Sequence, residues 1–315
     1  MPTYTAQTRA NLADVFDLAI KAEDLANTEF EMLPAAFREY FYVKPIQTKD
    51  LKLSKIGGPA SLTSTNEGSD YTEKEITQGY DHTLTVVKYT GVIPLTEEAI
   101  EDDPKGTLNA QWLGQEFAKA YIATAESACA TILNNGFTST TTPDGQVLFS
   151  DAHLLTGGGT TYSNLITSAL DAEGAAITTA FRKIRDNFYD TGSRRVNVQN
   201  WCLVVPPALK QTALKCTTAL YGNQTYSSPT PVQSGELMGR IRVVEVADLT
   251  SATAWFLVPD PMAVGYDCPL IMLDRQPLRL VAKQAQSNMD YELYGSARFV
   301  AGVKGYQVLG STGAA

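Results

Sequence analysis

Histidine is nearly missing from this 315-residue chain, which has two, His82 and His153, far apart in sequence. Cysteine is almost as scarce, at four, and Cys129, Cys202, Cys216 and Cys268 form no CxxC pair. A structural zinc site draws its ligands from cysteine and histidine at short, defined spacing, so neither count nor spacing supports one. No metal and no cofactor is expected, and the cysteines read as buried free thiols that behave as small apolar side chains. Also missing is any apolar run of the roughly 18 to 20 residues that a bilayer crossing demands. The start, MPTYTAQTRANLADV, has neither the basic end nor the apolar stretch of a signal peptide. The expectation is a soluble protein made in a cytoplasm, with no membrane partner.

An excess of positive charge is lacking too. The formal net charge is −9, and residues 1–170 carry 11 Lys and Arg against 22 Asp and Glu, while 171–315 carry 14 against 12. Phosphate affinity comes from clustered cations, so this balance argues against sequence-specific nucleic-acid binding. It suits contacts between unlike regions of neighbouring copies, where complementary charge sets register.

Motifs that carry chemistry are equally thin. Ser150, Asp151 and His153 lie together, but residues one or two apart point in different directions, and no GxSxG elbow accompanies them. A turn or strand end is the favoured reading, with a hydrolase using Ser150 and His153 as an alternative. The acids Glu97, Glu98, Glu101, Asp102 and Asp103 lack a calcium-loop pattern and sit ahead of a helix start, where the dipole favours negative charge. Gly157 to Gly159 lack the lysine of a phosphate loop. Arg182, Lys183, Arg185, Arg194 and Arg195 form the one dense basic cluster, a solvated face or a contact between copies.

What is present is a distinctive order of elements. A helical stretch near Asn11 has Leu12, Val15, Phe16 and Ala19 on one face. Phe30, Met32, Leu33, Phe37, Tyr40, Phe41 and Tyr42 follow, an apolar cluster that suits an arm packed on a neighbour or an ordinary core helix. Residues 49–94 read as long, polar and extended, punctuated by Gly57, Gly58, Pro59 and Gly68. A helix is predicted over 108–133, with Leu113, Phe117, Ala120, Tyr121, Thr124, Ala128 and Ile132 inward and a stop at Asn134 to Gly136. A second helix is predicted over 171–188 on Ile177, Phe181, Ile184 and Phe188. Strand 201–205 meets Pro206 and Pro207, which open a short helix to about 216. Strands over 240–246, 254–258 and 278–285 and a strand or strand pair over 291–309 complete an α+β chain.

LFSDAHLL at 148–155, TYSNLI at 161–166 and LVVPPAL at 203–209 carry a family resemblance. With the order of elements around them, they resemble tailed-phage major capsid proteins of the HK97 fold, in the branch of Mu-like head subunits. The resemblance implies an N-terminal arm (1–48), an extended E-loop hairpin (49–94), a peripheral domain with a spine helix (95–169 and 286–315) and an axial domain (170–285). It implies a non-enzymatic subunit, assembled in the host bacterial cytoplasm as pentamers and hexamers into an icosahedral virion shell. The shell would enclose double-stranded DNA without gripping its sequence, and a separate scaffolding protein and portal are implied. Candidate inter-subunit contacts are Phe37, Tyr40, Lys52, Lys55, Glu67, Tyr71, Glu73, Arg182, Arg185, Arg194 and Arg195. Some relatives cross-link a hairpin lysine to an asparagine; Lys52, Lys55 and Lys74 are available but unmarked, and no cross-link is expected. An encapsulin-like compartment shares the fold and stands as the alternative.

Overall fold

The computed structural model describes residues 35–96, 98, 110–155, 160–220, 240–284 and 291–314. The helix expected near Asn11, the cluster Phe30, Met32 and Leu33, and Gly157 to Gly159 lie outside them. Short helix α1 (Phe37–Tyr40) leads into β1 (Tyr42–Pro45). Strands β2 (Asp50–Gly57) and β3 (Thr77–Thr85) form a hairpin, and β4 (Val87–Leu95) precedes the long helix α2 (Ala110–Asn134).

The first sheet is built on a ribbon of two long strands, β11 (Leu270–Gln284) and β12 (Tyr291–Val303), antiparallel from Leu270↔Val303 to Gln284↔Tyr291. β4 runs antiparallel along the other side of β12, and β1 runs parallel to the start of β11. Side chains on a strand alternate between faces. On β12, Leu293, Ala297 and Phe299 are buried, while Tyr294, Ser296 and Arg298 alternate with them.

Helix α2 covers the buried face and is roughly 37 Å long at about 1.5 Å per residue. Tyr121 meets Phe299 edge to face at 5.6 Å, and Phe117 lies over Gly295. A Cβ at position 295 would stand 2.4 Å from the Phe117 ring, so glycine is what lets the helix approach the sheet. The buried line on α2 is Leu113, Phe117, Tyr121, Ala125, Cys129 and Leu133; Thr124, Ala128 and Ile132 are half-buried and Ala120 is exposed. This departs from the predicted face for a geometric reason. Each four-residue step advances about 40° around a helix of 3.6 residues per turn, so the buried line winds about 200° from Leu113 to Leu133. The neighbours change accordingly: β12 near the start, and at the end the 248–250 turn, where Asn134 donates to Asp248 O (2.9 Å) and accepts from Thr250 N (3.0 Å).

Two short strands, β5 (His153–Leu154) and β6 (Thr161–Tyr162), pair antiparallel, and the second sheet runs β7-β13-β10-β8-β9. Its members are β7 (Leu165–Ile166), β8 (Trp201–Val205), β9 (Ile241–Glu245), β10 (Trp255–Pro259) and β13 (Leu309–Ser311). β8 and β10 are buried along their whole length, as expected of unbroken apolar runs covered on both faces. Cys202, Val204, Phe256 and Val258 join the core under α2. Trp201, Leu203, Trp255 and Leu257 face a second cluster formed with α3 (Ala175–Asn187) and α4 (Lys210–Leu220) through Ile177, Ala180, Ile184, Ala213 and Cys216. Helix α3 starts later than predicted because Gly174 takes a left-handed φ of 86°; the Asp171 carboxylate accepts from the N–H groups of Ala175 and Ala176 instead.

The boundaries drawn from sequence at 170 and 285 do not follow the sheets. β11 falls in the 170–285 stretch yet pairs throughout with β12, while β7 and β13, from the flanking stretches, are strands of the second sheet. Each crossing joins segments far apart in the chain, which no local pattern records.

Candidate assembly surface

The β2–β3 hairpin pairs from Asp50↔Thr85 to Gly57↔Thr77. Its root is apolar: Leu53 and Leu84 pack on Ile271 and Leu273, with Leu51 and Val300 beside them. Gly302 accommodates the Leu84 side chain, which would come within 2.5 Å of a Cβ there. Beyond the root, residues 59–76 are all exposed. Ile56, Leu62, Tyr71 and Ile76 project at 73%, 88%, 96% and 74% exposure. Four large apolar side chains so exposed on one segment make a candidate contact surface. Glu67, Asp70, Glu73 and Glu75 surround them, offset by Lys74 alone.

The other predicted contact residues divide. Phe37 and Tyr40 are buried at 1% and 0% in the core beneath α2, so their assignment as contacts with a neighbour is corrected: with Phe41 they complete this subunit's own core. Lys52 is exposed and pairs with Asp81 across the hairpin at 2.7 Å. Lys55 is half-buried at the hairpin's waist. Arg194 pairs with Asp190 (3.2 Å), Arg195 donates to the Tyr189 hydroxyl (3.3 Å), and Arg185 also has a partner within the chain. The basic cluster is therefore partly neutralised at home. Arg182 is exposed on α3.

Sequence reasoning missed a second basic surface. On the outer face of the first sheet, Lys88 lies directly across from Arg298, and Arg279 across from Ser296 one row along. Val92, Tyr294 and Val281 form the next row, and Pro94, Glu292 and Lys283 the last. Like charges facing each other across strands repel. Among the described residues, none of Lys88, Arg279 and Arg298 has a carboxylate partner, whereas Lys283 faces Glu292 across the strands and lies 5.3 Å over the Tyr294 ring. Only the strand register brings these four together.

Ser150 and His153 do not form a catalytic pair. His153 is fully buried; its Nδ1 lies 2.8 Å from Asp144 Oδ2 and its Nε2 3.2 Å from Leu148 O, so both ring nitrogens are occupied. The Ser150 Oγ accepts instead from Ala152 N (3.2 Å). Buried Asn164 ties the neighbourhood together: its Oδ1 accepts from Ser150 N, and its Nδ2 faces the carbonyls of Leu148, Tyr306 and Val308. Burial works to raise the Asp144 carboxyl's pKa, yet it is held below the usual range because His153, Thr142 and the Leu154 N–H all hydrogen-bond to the charged form. Neither imidazole nitrogen is left to take a proton from a serine. The constellation is a polar core network. Of the acids at 97–103, Glu98 alone is described, and it is exposed.

Residues 79–307 match the family model of the phage capsid protein family. No curated protein matches the chain in sequence. Among solved structures, the mature capsid of bacteriophage PhiM1 is similar over 89% of this chain and 87% of its own, at 13% identity and a TM-score of 0.56. The capsid of bacteriophage JBD30 matches at 10% identity and a TM-score of 0.50, over 88% of this chain; the match spans 65% of the JBD30 chain. The virus-like particle from Pyrococcus furiosus matches at 9% identity and 0.50, over 92% of this chain and 97% of its own. At such identities the structural likeness speaks for the fold.

Proposed function

Since this chain belongs to the phage capsid protein family and is a major capsid protein of the HK97 fold, we propose that its projecting hairpin is the element by which one subunit of the shell holds the next. The observation that carries this reading is the exposed segment 59–76, whose apolar side chains have no cover among the described residues. The first sheet with α2 then corresponds to the peripheral domain and the second sheet with α3 and α4 to the axial domain. A hairpin laid on a different surface of the neighbour makes a heterologous contact, which closes into rings of five and six and then into a shell. Shell building is the whole of its activity in this reading. It takes place in the host cytoplasm with a scaffolding protein and a portal, and the virion shell encloses double-stranded DNA without reading its sequence.

The receiving surface is the outer sheet face. It offers Lys88, Arg298 and Arg279 beside an apolar row, the complement of acids around apolar side chains on the hairpin tip. Arg279→Glu with Arg298→Glu should abolish sedimenting shells, as should Glu67→Lys with Glu73→Lys. A mixture of the two variant subunits should recover at least part of the yield, since each restores an opposite-charge contact for the other. Shells forming at the normal yield from either variant alone would contradict the pairing. The likeness to the Pyrococcus furiosus particle supports a second reading, a compartment without a viral genome. The nucleic acid content of particles purified from infected cells separates the two.

A further inference from the structure

The hairpin rests on its own subunit at two places that belong to different parts of the fold. Its root packs Leu53 and Leu84 on Ile271 and Leu273 of the first sheet. Farther out the pairing register breaks between Ser54 and Ile56, so that Gly79 and Tyr80 together oppose Lys55. A two-against-one bulge of this kind bends the ribbon. Past the bend, the ribbon meets the turn that follows α3.

At that crossing backbone lies on backbone. A Cβ on Gly57 would stand 2.4 Å from Gly192 N and 2.5 Å from Thr191 C, and one on Gly192 would stand 2.5 Å from Gly58 O. On the opposite strand, a Cβ on Gly79 would stand 2.9 Å from both Lys55 O and Thr191 Cγ2. Gly57 and Gly192 are buried, and neither has a left-handed φ. Glycine is therefore demanded here by the close approach and not by the backbone conformation. Gly58, the next residue, has nothing within 4 Å of its Cβ position.

The turn beneath is fixed from several sides. Asp190 N donates to Arg194 O (2.8 Å) and Ser193 N to Asp190 O (2.8 Å), while the Asp190 carboxylate accepts from Thr191 N (2.7 Å) and pairs with Arg194 (3.2 Å). Ser193 has a left-handed φ of 58°, a conformation that persists in a non-glycine residue when its surroundings hold it. Tyr189 anchors the turn to the body: its O accepts from Gln307 Nε2 (3.0 Å) and its N donates to the Tyr306 hydroxyl (3.2 Å). Phe188, one residue earlier, is buried in the second core.

Root and crossing together fix a direction. At about 3.3 Å per residue the ribbon advances about 13 Å from Leu53 to Gly57, and as much as about 30 Å more to the tip, where Ser69 N donates to Asn66 O. A methyl group wedged into the crossing needs about 1 Å of added clearance to reach ordinary contact. If the ribbon turns as one piece about its root, that becomes about 3 Å at the tip.

We infer that Gly57 and Gly192 are positioning residues for assembly: their crossing is the stop that sets the inclination at which the hairpin leaves its own subunit, and with it the angle between neighbours. This rests on the reading that the hairpin holds the next subunit. Heterologous contacts close into rings only at certain rotations. A changed inclination leaves the chemistry of the tip intact and directs the same contacts into open or misshapen particles.

Pulsed electron-spin distance measurement on the full chain in its unassembled form reads the inclination, with labels on Asn66→Cys at the tip and Thr179→Cys on α3. Both sites are exposed, whereas the four native cysteines are buried and escape labelling in the folded protein. Gly57→Ala and Gly192→Ala should each displace the tip by about 3 Å. The double variant should displace it no further than the larger single change, because both methyl groups open one crossing. Gly58→Ala, the matched control, should leave it in place. Without labels, the first two variants should lose closed shells of wild-type diameter in electron microscopy, and Gly58→Ala should keep them; unchanged amide exchange in α2 verifies folding. Tip distances in both variants equal to those of Gly58→Ala overturn the stop, and a displaced tip with shells of wild-type diameter overturns its role in assembly. A hairpin with no part in assembly shows itself separately, as wild-type particle yield from a chain lacking residues 58–76.

Discussion

Asp144→Asn should unfold the subunit or bring it close to unfolding. Removing the buried carboxylate leaves the His153 ring, the Thr142 hydroxyl and the Leu154 N–H without their acceptor, at about 1 to 3 kcal/mol for each unsatisfied group, and whole domains are stable by only about 5 to 15. The Asp144 side chain is 5% exposed and His153 is fully buried, so solvent cannot replace the lost carboxylate. The carboxylate also accepts from Thr142 and Leu154 N, which orients the 141–154 turn. Its depressed pKa fixes the pH window: the contribution is complete above the ordinary carboxyl value of about 4 and is lost as pH falls through the lower folded value. Urea denaturation of wild type and variant should therefore differ most near neutral pH and converge in acid. His153→Ala should cost a similar amount, and the double variant much less than the sum, because the two act as one unit. A hydrolase built on His153 predicts instead a folded, inactive protein. A variant within 1 kcal/mol of wild type at pH 7 would contradict the network reading.

Replacing residues 58–76 by an Asn-Gly turn should remove shells altogether while leaving the subunit folded. The excised segment buries almost nothing of its own and makes no contact with the apolar root at Leu53 and Leu84, so stability is expected to change by less than about 1 kcal/mol. Two residues of this type close a hairpin without strain. Each shell contact repeats at every subunit, so even a modest loss per contact multiplies through the lattice. Sedimentation should show particle yield falling by more than a hundredfold, with the denaturation midpoint unmoved. Wild-type yield from the shortened chain would remove the hairpin from the assembly mechanism.

The parts of the fold that were legible in the sequence are those whose signal is local. The long helix was expected over 108–133 and runs Ala110–Asn134, because apolar spacing and the Asn134 to Gly136 stop both lie within the segment. Strand 201–205 announces itself by five apolar residues ahead of two prolines. The exposed ribbon was visible as a stretch too polar to build a core. What escaped is set by pairings across distance. Phe37 and Tyr40 look like a free apolar surface until α2, some 80 residues later, is laid over them. Lys88 and Arg298 are unremarkable singly and become a surface only through register. His153 beside Ser150 invites a chemical reading in one dimension, whereas in three its partners are Asp144 and a backbone carbonyl. The outward drift of the buried line on α2 could have been drawn from the four-residue spacing of Leu113, Phe117, Tyr121, Ala125, Cys129 and Leu133.

The most direct test of the central claim is electron microscopy of the purified full-length protein across a range of concentration and salt. Closed polyhedral shells, or rings of five and six subunits, are the predicted result; a uniform monomer under every condition would contradict it.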